Sequence, residues 1–122
     1  VGVTRTPEQR RHEHERQEAA DAASVARLLK WLRREVNRDL REWRGHLKAG
    51  TGGPLTGRIP DLIADCKAKL VMIAWAEHWH AGWLNPDYAL VDRERHMVMH
   101  GVRKVAAGYS NRDGYRGEWG SA

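Results

Sequence analysis

The sequence predicts an all-α protein: a long N-terminal amphipathic helix packed with two further helices and closed by a short, ordered C-terminal tail. Three observations carry this. Apolar residues recur at three- and four-residue steps over long stretches, Gly and Pro gather where helices would have to break, and the chain ends in a polar, turn-rich segment. At 122 residues, with 41% hydrophobic and 30% charged residues, the chain has the size and composition of one compact domain. No apolar run approaches the length that spans a bilayer or forms the centre of a secretion signal, so no membrane partner is expected. Cys66, the one cysteine, cannot form an internal disulfide; a reducing, cytoplasmic location is the expectation.

Residues 1–20 read as a polar, partly flexible extension. Its mixed-charge run after Pro7, from Glu8 to Glu18, has helix propensity but few apolar groups to bury, so it either frays or carries the next helix into solvent. A single helical domain is predicted over 21–119. Val25, Leu29, Leu32, Val36, Leu40, Trp43 and Leu47 share one helical face, broadened by Leu28 and Trp31, and predict a helix over about 21–49. A helix so long relative to the chain suits a dimer. Gly50, Gly52, Gly53, Pro54 and Gly57 mark a linker over 50–58, without the strand that would make it a phosphate loop.

Pro60 at a first helical position, followed by Asp61, opens a second helix over about 60–82. Its inward seam is Ile63, Cys66, Leu70, Ile73 and Glu77, and the centre of the core is expected here. Gly82 and Asn85-Pro86-Asp87 then lead into a third helix over about 86–107, with a short strand at Val98–Val102 as the competing reading. Residues 108–122 form the tail, with Tyr109, Tyr115 and Trp119 expected to pin it back onto the helices.

The tail carries a family resemblance. Ala106, Tyr109, Asp113, Gly114, Tyr115, Arg116, Glu118 and Trp119 resemble the closing motif of a family of small uncharacterised actinobacterial and actinophage proteins, which ends in a Tyr-Arg-Glu-Glu-Trp-like sequence. Upstream, Ile59-Pro60 and Leu62 to Leu70 resemble its segment in which a helix starts after a proline and carries an alternating charged Ala-Lys pattern. Leu28, Leu29, Leu32 and Asp39 resemble its opening helix, so the three segments keep their order over about residues 25–119. Gly117 stands where that family has an acidic residue, and Asn37-Arg38-Asp39 where it has an acidic cluster. The resemblance implies an actinobacterial or phage context and a cytoplasmic location; it implies no activity, catalytic residue or cofactor.

The residues bear on four kinds of chemistry. The leading expectation is a non-enzymatic protein-interaction or oligomerisation module, with a protein partner or a second copy bound through tryptophans: six Trp and no Phe are present, and Trp31, Trp43, Trp75, Trp79 and Trp83 fall on or near helices. The alternative expectation for these residues is that they fill a small core. Nucleic acid is the second reading, since the net charge is +5 and Arg27, Lys30, Arg34, Arg38, Arg41, Arg44 and Lys48 follow one another along the long helix. Glu35, Asp39 and Glu42 interrupt that run, and pairs such as Glu35 with Arg38 and Arg38 with Glu42 explain it as a solvated face. A metal site is the third, drawn from His96 and His100, four apart, with His78 and His80; surface histidines are the plainer account. Enzymatic chemistry is not expected: Cys66 lies on an apolar seam, Ser110 has no evident base, and Glu77 with Asp92 or Glu94 defines no cleft.

Overall fold

The computed structural model describes residues 4–81 and 92–120. Among them the order is α1 (Pro7–Ala49), a 3-10 turn (Gly53–Arg58), α2 (Ile59–Ala81), α3 (Asp92–Ala107) and a second 3-10 turn (Gly117–Gly120). The fold is all-α, as the periodicity predicts.

α1 begins at Pro7, well before the expected start near residue 21. Thr6 accepts a hydrogen bond from the Gln9 backbone N–H while the Gln9 side chain accepts one from the Thr6 N–H, a reciprocal cap that satisfies two end groups at once. Pro7 presets the first turn, and Arg11–Glu15 and Gln17–Asp21 pairs at four-residue spacing support the turns beyond. Local capping and pairing therefore make helix where no apolar face exists. Buried positions start only at Ala22, so the first turns of α1 project past the core. At its other end Gly50 takes φ 68° and donates its N–H to the His46 carbonyl, a left-handed stop that glycine makes without strain.

The stretch expected as a linker is partly structured: Gly53–Arg58 is a 3-10 turn leading directly into α2 at Ile59. Pro54 fixes φ there, and Thr56 Oγ1 donates to the Gly53 carbonyl at 2.8 Å. α2 runs back along α1. Arg33 pairs with Glu77, and His80 Nε2 donates to the Ala22 carbonyl at 2.7 Å, which fixes the two helices as antiparallel neighbours. Glu77, expected on the inward seam, reaches the flank of the hairpin and pairs there.

The core is built from Leu28, Leu32 and Val36 of α1, Ile59 and Ile73 of α2, and Val102 of α3, all fully enclosed. Val98–Val102 is helix, not strand: Val102 and Met99 are buried while Met97 and His100 are exposed, the pattern of a 3.6-residue period. The part of the expected third helix before Asp92 lies outside the described residues.

After Ala107 the chain makes successive turns and returns to α1. Trp31 packs edge-on against Tyr115 at 5.7 Å between ring centroids and tilted against Trp119 at 5.3 Å, and Tyr115 meets Trp119 at 5.7 Å. Trp31 Nε1–H donates to the Asp113 carbonyl at 3.1 Å. The tail is thus a covering layer of the core.

Candidate functional site

Three places concentrate side chains that could act: a polar cluster under the tail, the outer face of α1 and the outer face of α2. The polar cluster starts from a burial problem. Glu35 is only 3% exposed, and a carboxylate that deep requires partners. Arg38 donates to it at 3.2 Å from the next turn, and the Arg112 guanidinium lies 3.6 Å away. Arg112 also forms two parallel bonds to Asp39, both 2.8 Å, and lies over the Tyr109 ring at 4.3 Å. The Lys69 ammonium bonds Asp65 at 2.8 Å and reaches the Tyr109 hydroxyl at 3.4 Å.

The electrostatics of this cluster suit anchoring more than catalysis. Burial pushes the Cys66 thiol up, with nearby Asp39 adding to it, so the sulfur is held as the un-ionised thiol rather than as a nucleophilic thiolate. Burial likewise raises the Tyr109 phenol, against the opposing pull of Lys69. The hydrogen bonds from Arg112 to Asp39 raise the guanidinium further. Burial lowers the Lys69 ammonium, but the bonds to Asp65 and Tyr109 more than offset that and leave it above its ordinary value. Every shift strengthens the charge or neutral state that the fold uses at neutral pH. The cluster ties the tail to α1 and α2.

The tryptophans expected at a partner surface separate into different roles. Trp31 is 5% exposed and belongs to the core, because the tail that the sequence places at the far end of the chain folds over it. Trp43 is partly buried against the core and tilted on the His46 ring, Trp79 is half-buried, and Trp83 lies outside the described residues. Trp75 is 62% exposed. One turn before it on α2, Val71 is 60% exposed, and Ala64, Lys67, Ala68, Ala74 and His78 are exposed with them. Ala64, Ala68, Val71, Trp75 and His78 are spaced four, three, four and three residues apart, the interval that keeps one seam in line along a helix. α2 therefore carries apolar residues on the face turned to solvent as well as on the face turned to the core.

Of the cations expected to bind nucleic acid, Arg27, Lys30, Arg34, Arg38, Arg41, Arg44 and Lys48 are all exposed, on the side of α1 opposite Leu32 and Val36. The expected interruption by acids is partial: Arg38 pairs with Glu35 as expected, and Glu42 stays exposed on the helix. Glu35 and Asp39 turn toward the tail and Arg112, and Glu42 pairs with His46 instead of Arg38. Arg34, Asn37, Arg38, Arg41 and Arg44 border a shallow depression of about 400 Å³ with Leu40 at its edge.

The expected metal ligands are not brought together among the described residues, where no group of three His, Cys, Asp or Glu side chains has a metal-binding arrangement. His78 and His100 are exposed and His80 is tied to the Ala22 carbonyl; the His96 side chain lies outside the described residues. No helix among the described residues is long and apolar enough to cross a membrane. The Glu35–Asp39–Arg112 cluster is the feature that sequence reasoning missed. Its signal was Glu35 and Asp39 at four-residue spacing next to the apolar seam, a place where a solvated acid would not sit. Compared with family models, curated proteins and solved structures, the chain matches none.

Proposed function

We propose that this chain is a non-enzymatic helical module that associates with a second copy of itself through the outer face of α2. The observation that carries the reading is the exposed seam Ala64, Ala68, Val71, Trp75 and His78, with two small residues at one end and the large indole toward the other. A helix apolar on both faces is one written for burial on both faces. Isolated exposed apolar residues are ordinary, whereas a continuous row on one helix marks a contact surface.

The order of sizes along the seam selects the partner. If two copies meet antiparallel about a two-fold axis at Val71, Trp75 of each lies over Ala68 of the other, and His78 lies over Ala64. Large then meets small at every level, and the indole comes beside Lys67, which favours a cation–π contact. A parallel pairing would stack indole on indole and leave the alanines facing a gap. Asp61 near one end of α2 and His78 near the other are also brought together only by the antiparallel arrangement. With the resemblance of its tail, the module reads as an accessory protein of actinobacterial or phage origin.

Light scattering after size-exclusion chromatography tests this directly. We expect twice 14.0 kDa at high micromolar concentration, and the monomer mass for Ala68→Glu, whose charge falls on the seam but outside the monomer core. Val71→Cys, placed on the axis, should form a disulfide-linked dimer while the buried Cys66 does not. A monomer at every concentration, or a Val71→Cys chain that does not cross-link on oxidation, overturns the reading.

A further inference from the structure

The outer face of α1 is predominantly cationic, with Glu42 its one exposed acid between Arg27 and Lys48. Its six cations without an ion pair among the described residues, Arg27, Lys30, Arg34, Arg41, Arg44 and Lys48, are exposed, and with Arg38 they recur at steps of three and four residues. From Arg27 to Lys48 the helix rises about 31 Å, which gives one cation about every 5 Å along a straight line. The first turns of the same helix differ: there Arg11 pairs with Glu15, and Glu13 pairs with Arg5 just before the helix. In the second half Glu35 and Asp39 turn toward Arg112, which holds the tail; Glu35 also accepts from Arg38, and Glu42 stays exposed beside His46.

We propose that this face of α1 binds the phosphate backbone of a nucleic acid, independently of self-association through α2. The length of the stripe is that of about nine base pairs at 3.4 Å per step. Arginine dominates it, and the planar guanidinium matches a phosphate with two parallel hydrogen bonds. Asn37, beside Arg34 and Arg41 at the edge of the depression, adds neutral donors and acceptors. An acidic protein fits less well, since protein interfaces close around an apolar centre and the middle of this stripe has none at its surface. Binding of this kind reads charge and spacing, so it is expected to be indifferent to base sequence and steeply dependent on salt.

Fluorescence anisotropy of the full chain with a labelled duplex and a labelled single strand, between about 50 and 200 mM salt, provides the test. The expected result is binding whose logarithm falls with the logarithm of salt at a slope of roughly −4 to −5 on duplex, near −0.9 for each phosphate contacted. Arg34→Gln with Arg41→Gln should weaken binding and reduce the magnitude of that slope by about two. Arg10→Gln with Arg11→Gln removes the same charge from the projecting turns and should leave the slope nearly unchanged. A preference between the two probes decides which form of backbone fits. Circular dichroism identifies any variant that loses helix; Lys30→Gln with Lys48→Gln then serves in place of the first pair. No binding at the lowest salt, equal losses for the stripe and control pairs, or equal displacement by polyglutamate of matched charge would each overturn the proposal.

Discussion

Gly114 has φ 89°, and a Cβ built there would stand 2.6 Å from Trp31 Nε1. Both the backbone region and the lack of space require glycine, so Gly114→Ala is expected to lower stability by about 2 kcal/mol in a urea titration. Gly117, which has open space where a Cβ would be, serves as the near-neutral comparison. At Cys66, burial and a raised thiol pKa both oppose reaction; iodoacetamide should leave the folded chain unlabelled at neutral pH and label it promptly in denaturant. The same shift has a pH consequence. Cys66, Tyr109 and Lys69 all have raised values in the fold, so above their ordinary pKa values the unfolded chain holds fewer protons than the folded one, and stability falls as pH rises. The loss should begin near pH 9, where cysteine ordinarily ionises, and continue through the range of tyrosine and lysine. Thermal melts from neutral to alkaline pH will show it, and Cys66→Ala should move the onset upward. The sequence marks Gly114 and Cys66 only as a turn residue and an apolar-seam residue, since Trp31 and Asp39 reach them from far along the chain.

At the scale of elements, α1 shows how much a helix can rest on its ends. Thr6→Ala removes one half of the reciprocal cap, which is worth about 1 kcal/mol to the first turn. Those turns bury no apolar surface, so we expect faster amide exchange over the first turns of α1 with little change in the global melting temperature. The helices were legible because each has a face of period 3.6 between Gly and Pro signals. The early start of α1 was left open, since the polar run from Glu8 to Glu18 had helix propensity and could either fray or extend the helix; the reciprocal cap of Thr6 and Gln9 and the ion pairs decide for helix. The periodicity also left a strand open at Val98–Val102; burial of Met99 and Val102 against α2 and the tail decides for helix, despite the β-branched residues and Gly101. On α2 the inward seam of Ile63, Cys66, Leu70 and Ile73 was legible and meets the core, whereas the exposure of Val71 and Trp75 on the opposite face was not.

For the whole molecule, the tail is the element on which the others depend. A chain ending at residue 108 would lose Arg112, Tyr115 and Trp119, exposing Trp31, leaving Asp39 without its guanidinium and Glu35 with Arg38 alone. We expect a large fall in melting temperature, a red-shifted tryptophan emission and binding of a hydrophobic dye, compared with the full chain. By itself the sequence determined the all-α class, the order of three helices, the main core face of each and the return of an aromatic tail. These follow from local periodicity, capping and turn chemistry, which act between residues a few positions apart. Only the tertiary structure decided that Trp31 is core and Trp75 surface, and that Glu35 and Asp39 turn toward the tail, leaving Glu42 as the exposed acid among the cations of α1. Both outcomes depend on Arg112 and Trp119, distant in sequence, which choose their partners only once the chain has folded back on itself.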